Sequence, residues 1–233
     1  MEPIAIIGYA CRLPEASDAD AFWRLLMEGR SNYGELPPER LNQELYYSPE
    51  KGIIGKTYSK VGAVFSLQGK NFRPKHQLLS DCEGQHAAYE VVADAVRNSG
   101  YTVGDFPHRQ TGVYVATRRT SQVSTDKLLL QDTPVVLEYL KEIGGFAVLP
   151  KELQKKIVAA TQQRITDKYS YSNRFETERL MYYLTAWNIS YALNLDGPTM
   201  IMDGACASSL SAVTLASRAL NDGSIDCAIA GGS

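Results

Sequence analysis

The sequence predicts an α/β fold, on three observations. Short apolar runs at Pro3–Gly8, Thr111–Thr117 and Thr199–Asp203 have the length and composition of buried strands. The first of these is followed by a segment of helical periodicity. The last part of the chain reads strand, helix, strand without interruption, a βαβ unit whose strands should be parallel and whose crossover should be right-handed. With 233 residues, 44% of them hydrophobic, the chain can bury the core of one large domain or two small ones.

Pro3–Gly8 is expected as a buried strand ending at Gly8. The helix after it takes Ser17 as a candidate N-cap, Phe22, Trp23, Leu25 and Leu26 as its apolar face, and Gly29 as its C-terminal stop. Residues 33–79 are punctuated by Pro37, Pro38, Pro49 and Pro74 and read as irregular surface chain. Gly52–Thr57 has some character of a phosphate loop. The first glycine of that spacing is replaced by Glu50 and no strand precedes it, so a surface turn is expected. Ser80–Glu83 spells a capping box opening a helix with Ala88, Val91, Val92, Ala95 and Val96 on one side and Gly100 beyond its end.

After the Thr111–Thr117 strand, residues 118–175 are too long for a plain βα connection and read as an insertion. Thr133-Pro134 and Leu149-Pro150 each look like a cap followed by a first-turn proline. Glu176–Leu193 is expected as a helix, then Thr199–Asp203 as a strand, Ala207–Leu220 as a helix and Ile225–Ala230 as a strand. No charged side chain falls between Cys206 and Arg218. A helix apolar on nearly all sides is expected to be buried, and its alanines permit close packing.

Composition narrows the function. Lys and Arg number 24 against 26 Asp and Glu, a net charge of -2 with no basic block, which argues against a nucleic-acid partner. Cys11, Cys82, Cys206 and Cys227 form no Cys-x-x-Cys or Cys/His pattern, so neither a zinc site nor a redox pair is indicated. A reducing, cytoplasmic setting fits. The opening segment lacks a basic leader and a small-residue cleavage site, and no apolar run approaches the roughly 20 residues of a membrane span. Arg118-Arg119 and Lys155-Lys156 read as solvated charge or as docking patches for an acidic protein.

Cys206 falls between the carboxyl end of a strand and the first turn of a helix, where α/β sheets place ligands and reactive groups. A helix N-terminus favours a thiolate, and its free N–H groups can hold the oxyanion of a thioester under attack. Gly204, Ala205, Ala207, Ser208 and Ser209 leave room for an acyl chain. The residues alone leave two readings open, a nucleophile or a small buried hydrophobe.

The segment ISYALNLDGPTMIMDGACASSLSAVTLASRALNDGSIDCAIAGGS resembles the active-site region of β-ketoacyl synthases, with its Ala-Cys-x-Ser-Ser-Leu motif. The opening EPIAIIGYACRLPEASDADAFWRLLMEGRSNYGELPPER resembles the start of condensing domains of polyketide synthases. The resemblance implies the first half of a thiolase-like, layered α/β/α/β/α fold, with residues 1–233 as the N-terminal region of the domain. It implies that Cys206 accepts an acyl chain and condenses it with a malonyl unit carried by an acyl carrier protein. No cofactor is expected on the chain itself, the phosphopantetheine arm belonging to the carrier. Family likeness further implies a homodimer paired through the strand at Thr199–Asp203.

Several positions depart from the family. Its usual Met-Asp-Pro-Gln-Gln-Arg stretch falls within KNFRPKHQLLSDCEGQHAAYEV, which lacks the Pro-Gln-Gln. Gly204 stands where many modular synthases have Thr, and Asn188 where the family often has Arg. The missing Pro-Gln-Gln leaves the subfamily open, while the Gly204 and Asn188 changes, together with the long 118–175 segment, point away from the commonest modular type and towards iterative or polyunsaturated-fatty-acid-like synthases. The family also uses two histidines beyond the cysteine. Here His76, His86 and His108 all precede Cys206, so the sequence reads as a fragment without full condensing activity. Two rivals remain. A thiolase is disfavoured by the late position of the cysteine; a non-catalytic partner, like a chain-length factor, is disfavoured for a parent enzyme by the retention of Cys206 but stays open for the 233 residues as a non-catalytic half-domain.

Overall fold

The computed structural model describes residues 2–64, 83–107, 109–117, 122–169 and 184–232. They fall into two compact units, one from the described parts of 1–4, 73–88 and 107–233, the other from those of 5–72 and 89–106. The chain passes between them more than once, which is why no linker is visible in the sequence.

In the second unit, α1 (Ala19–Met27) is capped by Asp18, whose carboxylate accepts from the Ala21 N–H at 2.8 Å. Ser17, the expected cap, instead donates its hydroxyl to Asp18. The Ala21 N–H and then the Ser17 hydroxyl hold the Asp18 carboxyl below its usual range. Of the expected apolar face only Leu25 is buried, while Phe22, Trp23 and Leu26 stay exposed.

β1 (Gly34–Glu35) and β2 (Val61–Gly62) pair antiparallel, with α2 (Gln43–Tyr46) between them in sequence. Gly52–Thr57 forms the expected turn. Lys56 Nζ donates to the Leu45 carbonyl at 2.5 Å, anchoring the turn to α2.

α3 (Glu83–Asn98) is described from Glu83 onward, and the predicted capping box at Ser80–Glu83 lies largely outside the described residues. Of the expected face Val96 is buried while Ala88, Val91, Val92 and Ala95 are half-buried, and the most buried stripe runs through Gln85, Tyr89, Ala93 and Val96. Tyr89 is responsible, because its ring offers more area to bury than any alanine on the predicted face. Within this unit, Arg12 reaches Asp94 at 3.0 Å and Glu90 at 3.6 Å, and donates to the Ser17 carbonyl.

Residues 3–8 form no strand, and Ile6 is 86% exposed. A Cβ at Gly8 would run into the Ala95 carbonyl and lie 2.8 Å from Ser99 Cβ, and the Tyr9 N–H donates to Asn98 Oδ1 at 3.0 Å. The segment is thus held by the end of α3 and not by a sheet edge. An apolar run specifies extended chain. Only a partner edge makes it a strand.

The first unit is built on β3 (Thr111–Ala116), buried at every residue. Its first helices, α4 (Gln122–Glu142), α5 (Gly144–Ala147) and α6 (Lys151–Tyr169), lie within the region read as an insertion, and α4 packs on both of the others. Pro134 sits inside α4 and starts no helix, since the Thr133 hydroxyl donates back to the Leu129 carbonyl and leaves the turn continuous. Pro150 behaves as expected, its carbonyl accepting from the N–H groups of Leu153 and Gln154 at the start of α6. Lys155 and Lys156 are exposed, Lys155 pairing with Glu152, whereas Arg118-Arg119 fall outside the described residues.

Of the predicted Glu176–Leu193 helix, α7 (Thr185–Ala192) is seen and residues 176–183 lie outside the described set. β4 (Thr199–Met202), α8 (Ser208–Asn221) and β5 (Cys227–Gly232) complete the predicted βαβ unit within two residues of its expected bounds. Both β4 and β5 pair parallel to β3, in the order β4-β3-β5.

On one face of the sheet Tyr114 and Ala116 pack with Ala212 and Ala216 of α8 and with Ile225. Burying a residue of the size of Ile225 contributes roughly 1.5–3 kcal/mol. α8 is buried where it meets the sheet, at Ala212 and Ala216 with Leu215, Ala219 and Leu220 packed beside them, whereas its outer apolar surface is uncovered in these residues, Leu210 being 74% exposed and Val213 48%. No helix among the described residues is long and apolar enough to cross a membrane.

Candidate active site

The three parallel strands end together. Ala116 is in register with both Met202 and Gly232, and the Thr117 N–H donates to the Met202 carbonyl. From that edge the chain leaves β4 through Asp203 and Gly204, makes a 3-10 turn over Ala205–Ala207, and enters α8 at Ser208. Cys206 is in the middle of this turn and is exposed. The expected placement, between a strand's carboxyl end and the first turn of a helix, is therefore found, with the thiol in the approach to α8.

The turn is tight. Ala205 takes a left-handed conformation, φ +52°, which is unfavourable for a residue bearing a Cβ. Its N–H donates to Asp203 Oδ1 at 3.3 Å, and its carbonyl accepts from both the N–H and the hydroxyl of Ser208. The Ser208 hydroxyl also accepts from the Gly204 N–H at 2.7 Å. From the sheet side, Gly232 abuts the same helix start. A Cβ there would strike Ser209 Oγ and lie 3.1 Å from Ala116 Cβ. The start of α8 leaves backbone N–H groups without intrahelical acceptors, the kind of donor that can steady an oxyanion.

The other cysteines lie in different surroundings. Cys11 is half-buried, and burial followed by the Asp18 carboxylate pushes its thiol up against the opposing pull of Arg12. Burial likewise pushes the Cys227 thiol up, while a hydrogen bond with Thr111 draws it back. Cys82, His76 and His108 lie outside the described residues, and His86 sits half-buried in the first turns of α3. Asn188 is buried on α7 and donates to Gln85 Oε1 at 2.6 Å, so the position where the family often has Arg is filled by a neutral amide pair.

Sequence reading noted Ser208 and Gly204 only as small and missed the Ser208 bridge. The signal was present as a hydroxyl two residues after the cysteine, but its double hydrogen bond depends on the shape of the turn.

Comparison with known proteins places the chain. The family described as "Beta-ketoacyl synthase, N-terminal domain" matches residues 1–233. The polyketide synthase ThaG of Burkholderia thailandensis is 30% identical over 240 residues, covering 99% of this chain and 4% of that protein. A mycocerosic acid synthase-like polyketide synthase of Mycolicibacterium smegmatis is 30% identical over 237 residues, covering 99% of this chain and 9% of its own length.

Among solved structures, the oxazolomycin ketosynthase domain OzmH KS7 of Streptomyces albus superposes with a TM-score of 0.67 at 26% identity, over 97% of this chain and 33% of that one. The PfaC keto synthase-chain length factor gives a TM-score of 0.69 at 19% identity, over 96% of this chain and 23% of that one, a likeness of fold alone. The chain thus spans a small part of its curated relatives and about a third of the OzmH domain. The architecture is the N-terminal half of the thiolase-like fold of these ketosynthase domains, and the chain belongs to the β-ketoacyl synthase family as its N-terminal domain.

Proposed function

We propose that this domain is the acyl-accepting part of a condensing enzyme of polyketide or fatty-acid-like synthesis, with Cys206 as the nucleophile. The observation that carries the reading is the exposed thiol in the turn between β4 and α8, beside a helix start. In the first step the sulfur attacks the carbonyl carbon of an acyl thioester on a carrier protein. A new carbon–sulfur bond forms, and the carrier thiol leaves with the proton. In the second step a malonyl thioester loses carbon dioxide, its α-carbon attacks the acyl-Cys206 carbonyl, and the Cys206 thiol is released.

The second step calls for groups that hold the malonyl carbonyl. The family uses two histidines beyond the cysteine, and residues 207–233 contain none. Within these residues the reading is therefore confined to acyl acceptance. In the parent synthase the carrier protein, with its phosphopantetheine arm, is the partner. β4 lies at an edge of the described sheet with Thr199 and Met200 exposed, which supports pairing of two copies through Thr199–Asp203.

The test is acyl loading of the parent synthase from an acyl carrier protein, followed by intact-protein and peptide mass spectrometry. Cys206→Ala is expected to abolish covalent loading while leaving the fold intact. A Cys206→Ala synthase that still loads its ketosynthase domain would place the nucleophile elsewhere.

A further inference from the structure

Resting on the reading of Cys206 as acyl acceptor, we infer that Ser208 is a positioning residue whose hydroxyl clasps the turn presenting that thiol. Along Asp203–Ser209 it is the one buried residue, 9% exposed, while its neighbours face outward. Its hydroxyl accepts from the Gly204 N–H and donates to the Ala205 carbonyl, both at 2.7 Å. A hydroxyl offers one proton and two lone pairs, so a single atom joins a donor before Cys206 to an acceptor next to it.

Ala205 pays the steric cost of its left-handed backbone. The brace from the Asp203 carboxylate, at 3.3 Å, is the longer of the two side-chain hydrogen bonds to Ala205. Without the Ser208 clasp the turn keeps only the Ser208 N–H and the longer Asp203 bond to Ala205, so Ala205 has more room to relax and Cys206 shifts with it relative to the start of α8. Small displacements of a reacting atom lower rates steeply. Ser208 acts beneath the turn and not on the acyl group, so its loss should slow the covalent step and leave substrate affinity unchanged.

The test follows acylation of the 233-residue chain by S-hexanoyl-N-acetylcysteamine, read at Cys206 by peptide mass spectrometry over a range of probe concentrations. The sulfur of Cys206 attacks the probe carbonyl, and N-acetylcysteamine leaves as the protonated thiol. Ser208→Ala is expected to lower the limiting rate about tenfold, equivalent to roughly 1.4 kcal/mol, at an unchanged half-saturation concentration. Ser208→Thr, which keeps the hydroxyl, should recover most of the loss.

Melting temperature and labelling of Cys11 and Cys227 are measured on the same samples. An unchanged limiting rate in Ser208→Ala, with acylation still at Cys206, overturns the inference and leaves the nucleophile standing. A rate loss that Thr does not restore, or one accompanied by new labelling of Cys11 and Cys227, shows a general structural role and also overturns it. Wild-type chain acylated at a residue other than Cys206, or at none, removes the nucleophile reading and the inference with it.

Discussion

Accessibility separates Cys206 from Cys11 and Cys227. Cys206 is exposed, whereas burial leaves each of the other two thiols less ready to ionise. A thiolate is the reactive form, so both effects favour the same residue. With limiting iodoacetamide at neutral pH, Cys206 is expected to be labelled before Cys11 and Cys227 in the folded chain, as mapped on tryptic peptides. Labelling of Cys11 and Cys227 should rise only in solutions more alkaline than an ordinary thiol, of pKa about 8.5, requires. Faster labelling of either one would remove accessibility as the distinguishing property.

At the scale of elements, the strand ends and the helix start form one packed edge, and Gly232 is where they touch. The neighbouring Gly231 has nothing within 4 Å of an added Cβ, while Gly232 meets Ser209 and Ala116. Gly232→Ala is expected to destabilise the chain by about 1–3 kcal/mol, the usual cost of overpacking, whereas Gly231→Ala should be near neutral. Urea unfolding of the two variants checks this, and equal midpoints would mean that α8 yields to a methyl group at no cost.

The same elements show how far the sequence could be read. β3, β4, α8 and β5 are legible because a βαβ unit carries its own apolar spacing, and their bounds match within two residues. The strand at residues 3–8, the start at Pro134 and the burial of Gln85, Tyr89 and Ala93 on α3 are not. Each depends on what lies alongside: a sheet edge, a continuing helix turn, and the packing that buries the Tyr89 ring. The position of Cys206 was legible from its motif, whereas the Ser208 clasp required the backbone shape at Ala205.

For the molecule as a whole, buried phenols and thiols are expected to lower stability at alkaline pH. Tyr89 and Tyr114 are nearly inaccessible, 1% and 3% exposed, and burial pushes both phenols above their ordinary value of about 10. The native chain keeps these protons over a pH range in which the unfolded chain has released them. The stability they contribute is therefore complete below the ordinary phenol value and is lost as pH rises through the raised one. Cys11 and Cys227 act in the same sense from a lower pH, near the ordinary thiol value. Melting temperature is expected to fall progressively between about pH 8.5 and 11, and Tyr114→Phe should flatten the upper part of that fall. A melting curve unchanged across that range would mean that these groups ionise as readily in the folded chain as in the unfolded one.

By itself the sequence determined the α/β class, the βαβ unit, the family and the residue to be tested as nucleophile. These are properties of local spacing and motif, which survive whatever the chain packs against. Tertiary structure alone decided that residues 3–8 form no strand, which face of α8 meets the sheet, and that Ser208 bridges the turn at Cys206. Those outcomes depend on contacts between segments far apart in sequence or on backbone angles within a single turn, and side-chain order along the chain carries neither.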